Sequence, residues 1–215
     1  TPWPSSAASD VYKRQIFGSL PFLFSNLNLN FIDAFFESTS GITTTGSTII
    51  SNLEQVSYGI LLWRALLQWL GGIGIIVMAV AILPMLSIGG MQLFKTESYE
   101  TPDKIIPRAA IFASGISIVY IFLTSIWAFM LWLAGMPIFD SITHAMTTLA
   151  TGGYSTKSES LGAFNSVNIE MIIVFGMIVG SLPFIHYLSI LKNGWKNLIN
   201  DQQVKWFLLI LFFLI

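Results

Sequence analysis

Two short runs of threonine and glycine hold the residues best placed for chemistry. Thr43-Thr44-Thr45-Gly46-Ser47 and Ala150-Thr151-Gly152-Gly153-Tyr154 contain no acid, base or thiol. Their strongest groups are backbone carbonyls and small hydroxyls. Glycine opens backbone angles that can turn carbonyl oxygens toward a common axis. Oxygens gathered that way replace the water around a small cation. Each run closes a segment with an aspartate near its start, Asp33 in residues 31–49 and Asp140 in residues 138–157. Laying Asp33 on Asp140 sets an offset of 107, which also lays Thr44 on Thr151 and Gly46 on Gly153. Identity between the two is low, but the order repeats: aspartate, two turns of mixed apolar and small residues, Thr/Gly run, long apolar stretch.

Each aspartate is expected to cap the N-terminus of a short helix. A short helix that enters a membrane and stops midway presents its carbonyl end, which is partly negative and favours a cation. The backbone after it is non-helical at membrane depth, which is tolerated only where protein or a wet cavity surrounds it. The two runs resemble degenerate copies of a TVGYG-type potassium filter strand.

Composition places these segments in a bilayer. Of 215 residues, 54% are hydrophobic and 10% charged, with a net charge of −1 and no cysteine. Mean hydropathy is +0.72. Ordinary soluble domains carry roughly 25% charge. A disordered chain or a nucleic-acid binder is excluded by the same numbers. Disulfides, thiolate metal sites and cysteine nucleophiles are excluded by the missing cysteines. Charge-free runs of 30, 31 and 21 residues follow Arg64, Arg108 and Glu170. All three are long enough to cross hydrocarbon as helices. A fourth apolar run, after Lys205, is shorter and reads as the start of a further span. Lys95, Lys104 and Arg108 flank one connection, and Lys192, Lys196 and Lys205 another, which marks that side as cytoplasmic. The two Thr/Gly segments then lie on the outer side. Residues 1–15 hold Lys13 and Arg14 without an apolar run, and read as foreign sequence outside the fold.

The stretches FESTSGITTTGST (36–48), WRALLQWLGGIGIIVMAVAILPMLSIGGMQLFKTE (63–97) and HAMTTLATGGYST (144–156) resemble the TrkH family of potassium-uptake proteins. The likeness extends over residues 16–215. It implies an all-α membrane protein of repeated helix–pore loop–helix units in a potassium-channel-like fold, with about two of four units present. The first unit would be 16–94, with its first helix largely missing, its pore loop at 31–49 and its second helix at 60–86. A cytoplasmic loop would follow at 95–108. The second unit would be 109–192, with helix 109–136, pore loop 138–157 and helix 168–191. Residues 193–215 would hold a cytoplasmic loop and the cut start of a third unit. By resemblance, Thr44, Thr45 and Gly46 with Thr151, Gly152 and Gly153 form the ion-binding filter, holding K⁺ through backbone carbonyls. No cofactor is implied in this chain. The implied partners are a TrkA-like cytoplasmic nucleotide-binding regulatory subunit, a second copy in a homodimer and the lipid of a bacterial inner membrane, crossed several times; nucleic acid is not among them. Two filter quarters cannot close a ring, so this polypeptide alone is expected not to conduct.

Other polar residues have blander readings. Arg64 reads as an interfacial anchor whose stem snorkels to water. Glu37 and His144, each four residues after its aspartate, read as satisfied packing groups. His186 reads as a packing or interfacial residue. Gly71, Gly72, Gly74, Gly176 and Gly180 read as sites of close helix approach. Trp63, Trp69, Trp127, Trp132, Trp195 and Trp206 read as an aromatic belt. Three competing functions stay open: a KtrB-like sodium-dependent potassium transporter, a secondary carrier and an intramembrane enzyme. The last two need carboxylates or a nucleophile–base pair within the spans, where this stretch supplies only His186.

Overall fold

The computed structural model describes residues 3–86, 102–194 and 201–214. Among these the regular structure is helical, without strands: α1 (Trp3–Leu23), α2 (Phe31–Ile42), α3 (Tyr58–Leu86), α4 (Pro102–Leu133), α5 (Ile138–Leu149), α6 (Val167–Ser181), α7 (Phe184–Asn193) and α8 (Gln202–Leu214). The chain divides into two compact units, Thr1–Gly74 with Leu123–Gly180, and Ile75–Phe122 with Ser181–Ile215.

The first unit contains both short helices. α2 and α5 are 12 residues each, and both their first and their last residues keep the offset of 107. Neither aspartate is the cap. Asn30 caps α2, its side-chain oxygen accepting the Asp33 N–H at 2.9 Å. Pro137 holds the corresponding place before α5 and makes no side-chain cap bond. Asp33 and Asp140 sit one turn inside, where a negative side chain still favours the positive helix end.

α1 runs without a break past residue 15. The Gln15 carbonyl accepts the Ser38 hydroxyl of α2 at 2.8 Å, and Gln15 is buried. Residue 15 thus lies within α1, where its carbonyl packs on α2. Below the loop after α2, Phe22, Ala34, Ile50, Leu53, Val56, Ile60, Leu61 and Leu67 form one apolar cluster.

α3 is apolar on every side by sequence, but its burial is striped. Ile60, Leu61, Arg64, Ala65, Leu67 and Gln68 are inside, at the spacing of one helix face, while Tyr58 and Leu70 are exposed. α4 contains a 21-residue apolar stretch, Ala113–Leu133, of mean hydropathy 2.1. At 1.5 Å per residue it spans about 31 Å, the thickness of a hydrocarbon core. Gly135, at φ 97, ends it: the Gly135 N–H bonds the Trp132 carbonyl and the Met136 N–H bonds the Leu131 carbonyl.

The span expected at 168–191 is two helices. α6 ends at Ser181 and α7 starts at Phe184, with Pro183 between them as the α7 cap. Proline lacks the N–H a continuous helix needs and pushes Leu182 off helical angles. In the second unit Tyr120 meets Phe184 edge-on at 5.5 Å, and His186 Nε2 stands 3.7 Å from the Asp201 carboxylate.

The tryptophans are not one belt. Trp127 is buried and donates to the Ile172 carbonyl at 3.0 Å. Trp63 donates to the Gly18 carbonyl and Trp69 to the Thr124 hydroxyl. Trp132 and Trp206 are exposed, as a belt requires. Trp195, Lys196 and residues 95–101 of the 95–108 connection lie outside the described residues.

Candidate functional site: the paired re-entrant loops

α2 and α5 end in the same hydrogen-bond pattern, bond for bond. In α2, the Thr43 N–H bonds the Thr39 carbonyl, Thr44 bonds Gly41, and Thr45 bonds Ser40 at 3.0 Å. In α5, Ala150 bonds Met146, Thr151 bonds Thr148, and Gly152 bonds Thr147 at 2.9 Å. Every donor and acceptor pair keeps the offset of 107. This is a Schellman ending, whose left-handed residue is usually glycine. Here that residue is Thr44 at φ 55 and Thr151 at φ 53. A branched side chain there costs on the order of 1–3 kcal/mol. The same ending after α4 uses Gly135, so the chain makes this turn with glycine elsewhere and with threonine in both loops.

Two residues further on, both loops place a glycine at positive φ, Gly46 at 80 and Gly153 at 82. The sequence-predicted residues thus come together as two matched strands within the first unit. They are not equivalent in space. A Cβ on Gly46 would collide with the Gly152 carbonyl oxygen, so the two strands touch there. A Cβ on Gly152 would collide with the Gln68 carboxamide. A Cβ on Gly153 would meet no described atom within 4 Å. Thr45, Thr151 and Gly153 are exposed on the open side of the pair, while Gly152 is buried.

Arg64 is 1% exposed, and the anchoring role expected for it does not hold. It lies two turns inside α3 on the buried stripe, too deep to snorkel. Its Nε donates to Glu37 Oε1 at 2.8 Å and its Nη1 to the Ser155 carbonyl at 3.0 Å. Its guanidinium carbon sits 4.0 Å from the centroid of the Tyr154 ring, a cation–π contact. One arginine therefore joins α2 to the strand that follows α5. Glu37 is fully buried and also accepts the Thr48 hydroxyl at 2.9 Å and the Ile49 N–H at 3.2 Å. A buried side chain of this kind is costly unless its oxygens are hydrogen-bonded, and these partners supply the bonds.

His144 takes the Glu37 place in the second loop and does the same work with other chemistry. Its Nε2 lies 3.1 Å from the Ser155 hydroxyl, and Ser155 is the counterpart of Thr48. Its Nδ1 lies 2.8 Å from the Asp140 carbonyl, an acceptor only, so Nδ1 carries the proton. Asp140 in turn accepts the Thr156 hydroxyl at 2.6 Å. In each loop a side chain on the short helix pulls back the strand that returns from it.

The following helices pack on the ends of the short ones through glycine. A Cβ at Gly71 would collide with the Ile42 carbonyl oxygen. A Cβ at Gly180 would stand 3.1 Å from the Leu149 carbonyl oxygen, the counterpart of Ile42. Gly176 packs against the Trp127 indole and Thr148. Gly74 meets no described atom at that distance. At the surface, the Ser158 hydroxyl and backbone N–H donate to the Glu54 carboxylate at 2.7 and 2.8 Å. The Ser158 hydroxyl, then its N–H, hold the Glu54 carboxyl down at about 2.

The pairing of Gly46 with Gly153 was legible in the sequence. Gln68 and Tyr154 were not singled out, because a lone glutamine in an apolar helix and a tyrosine beside a glycine pair carry no signal of their own. Among the described residues no three His, Cys, Asp or Glu side chains gather as metal ligands. What the loops offer a cation is neutral oxygen.

The family model described as TrkH, cation transport protein, matches residues 7–214. The chain is 44% identical over 202 residues to the Trk system potassium uptake protein TrkI of Halomonas elongata, covering 93% of this chain and 41% of that one. It is 44% identical over 195 residues to the Trk system potassium uptake protein TrkH of Salmonella typhimurium, covering 89% and 40%. Its fold matches the crystal structure of the potassium transporter TrkH from Vibrio parahaemolyticus with a TM-score of 0.81 at 40% identity, over 93% of this chain and 41% of that one. The chain thus spans about two-fifths of the length of these relatives.

Proposed function

This chain belongs to the TrkH family of cation transport proteins, and from that premise we propose that it supplies two quarters of the selectivity filter of a membrane potassium-uptake subunit. The filter residues are Thr44, Thr45 and Gly46 with Thr151, Gly152 and Gly153, holding dehydrated K⁺ by backbone carbonyls. The observation that carries the reading is the bond-for-bond repeat of the two loop endings, with matched positive φ at Thr44 and Thr151 and at Gly46 and Gly153. Its physics is direct. Two partly negative helix ends stop beside one another, and the strands leaving them are held at fixed backbone angles. Binding by neutral oxygens lets an ion enter and leave without a buried countercharge to trap it.

On this reading residues 16–94 and 109–192 are two pore units, with α7 prolonging the second, and 193–215 leads to a third. The subunit sits in the bacterial inner membrane and crosses it several times, with the 95–108 connection on the cytoplasmic face. A nucleotide-binding regulatory protein and a second copy of the subunit are its partners there.

The test is Rb⁺ flux into liposomes carrying the full-length protein that contains this chain. Gly46→Ser is expected to abolish flux or its preference for K⁺ over Na⁺ while the protein still inserts. Unchanged flux and preference in both Gly46→Ser and Gly153→Ser would overturn the filter assignment. Liposomes carrying only these 215 residues are expected to be silent, because two quarters enclose no axis, and flux from them would contradict the four-quarter reading.

A further inference from the structure

Gln68 lies one helical turn beyond Arg64 on the buried stripe of α3 and is 0% exposed. Its Oε1 accepts the Tyr154 N–H at 3.1 Å, so it holds the backbone of the second strand just past Gly153. Its carboxamide also fills the space where a Cβ on Gly152 would stand. Its Nε2 lies 2.7 Å from where a Cβ on Gly152 would stand and 3.6 Å from where a Cβ on Gly46 would stand. That nitrogen is fully buried and has no hydrogen-bond partner among the described residues. One carboxamide therefore holds the second strand and stands beside the first where Gly46 meets the Gly152 carbonyl. A buried donor without an acceptor is unfavourable, and this one stands beside both Gly152 and Gly46.

We propose that Gln68 is a specificity-determining positioning residue: it fixes the separation and register of the two strands at Gly46, Gly152 and Gly153, and so the size of the oxygen cage. The proposal rests on the filter reading above. Gln68 touches no ion. It acts through the backbone, by holding the Tyr154 N–H with one end and facing the Gly46 strand with the other. Arg64 restrains the same second strand one residue further on, at the Ser155 carbonyl. The two restraints divide the work: Arg64 ties strand to helix, and Gln68 spaces strand from strand.

The test uses the full-length protein in liposomes and reads the ratio of K⁺ to Na⁺ flux beside total inserted protein and thermal midpoint. Gln68→Leu keeps the volume and removes both polar ends. Gln68→Glu keeps the acceptor for Tyr154 and removes the donor facing Gly46. Gln68→Leu is expected to lower the ratio about tenfold, the scale of one buried backbone group left unpaired. Gln68→Glu is expected to lower it with a smaller drop in thermal midpoint. Gly46→Ala in the same assay reports on the filter itself. A changed ratio in Gly46→Ala with an unchanged ratio in well-inserted Gln68→Leu and Gln68→Glu would overturn the role of Gln68 alone. An unchanged ratio in all three would overturn the filter reading with it. Equal loss of K⁺ and Na⁺ flux in step with lost protein, in both Gln68 variants, would assign Gln68 to folding and also overturn the proposal.

Discussion

Tyr154 donates its hydroxyl to the Ser47 carbonyl, at 3.3 Å, and Ser47 is the residue that occupies the place of Tyr154 in the first loop. The same hydroxyl lies 3.1 Å from the Glu37 carbonyl. The two repeats thus hold one another through a side chain that only one of them has. Their backbones repeat, and their side chains are complementary.

Removing that hydroxyl tests the link. Tyr154→Phe is expected to lower the stability of the full-length protein by about 1 kcal/mol, the net worth of a typical hydrogen bond. Thermal unfolding in detergent reads the difference. No change in midpoint would show that the hydroxyl is not a link.

Arg64 and Glu37 form a buried pair at 2.8 Å, so the order of removal matters. Arg64→Met leaves an uncompensated buried carboxylate and is expected to cost about 3–5 kcal/mol. Adding Glu37→Gln is expected to recover a large part of it, because a neutral amide needs no counterion. The check is a double-mutant cycle on thermal or denaturant unfolding. Additive losses would mean that the two side chains act independently.

The two glycines at positive φ should differ in tolerance. Gly153→Ala meets open space and carries only backbone strain, about 1–3 kcal/mol. Gly46→Ala carries similar strain and also drives a methyl into the Gly152 carbonyl. Gly46→Ala is therefore the more damaging change to ion flux and stability, and equal effects would argue against contact between the strands.

Glu54 makes one outer contact dependent on pH. Its folded carboxyl lies at about 2 against 4.5 for the free group. A depressed carboxyl stabilises the fold above its unfolded value, and the contribution fades as pH falls from about 4.5 toward about 2. Ser158→Ala removes both the hydroxyl donor and most of this dependence. The difference in thermal midpoint between the parent and Ser158→Ala is expected to be level from pH 7 down to about 5 and to shrink below it. A difference that grows on acidification would contradict the assignment.

The loop pair could be read from Asp33, Thr44 and Gly46 and their partners at 140, 151 and 153, because an offset survives even where identity does not. The helical class followed from charge-free runs. Directions in space did not follow. Arg64 stands near the start of a long apolar run, where a snorkelling charge and a buried bridging charge look the same until Glu37 and Ser155 are folded around it. Asp33 and Asp140 looked like caps because cap residues are chosen locally, but Asn30 and Pro137 already held those places. The break at Pro183 was not read, because hydropathy runs unbroken across it. Gln68 is the plainest case. Its meaning lies wholly in two backbones that arrive from elsewhere in the chain.

On the filter reading, two loops 107 residues apart share one ion. The most direct measurement is anomalous diffraction from the full-length protein with Rb⁺ in place of K⁺. Rb⁺ peaks are expected, bounded at once by carbonyl oxygens of Thr44 to Gly46 and of Thr151 to Gly153, and weakened or lost in Gly46→Ala. Rb⁺ peaks that touch only one of the two strands, or none, would contradict it.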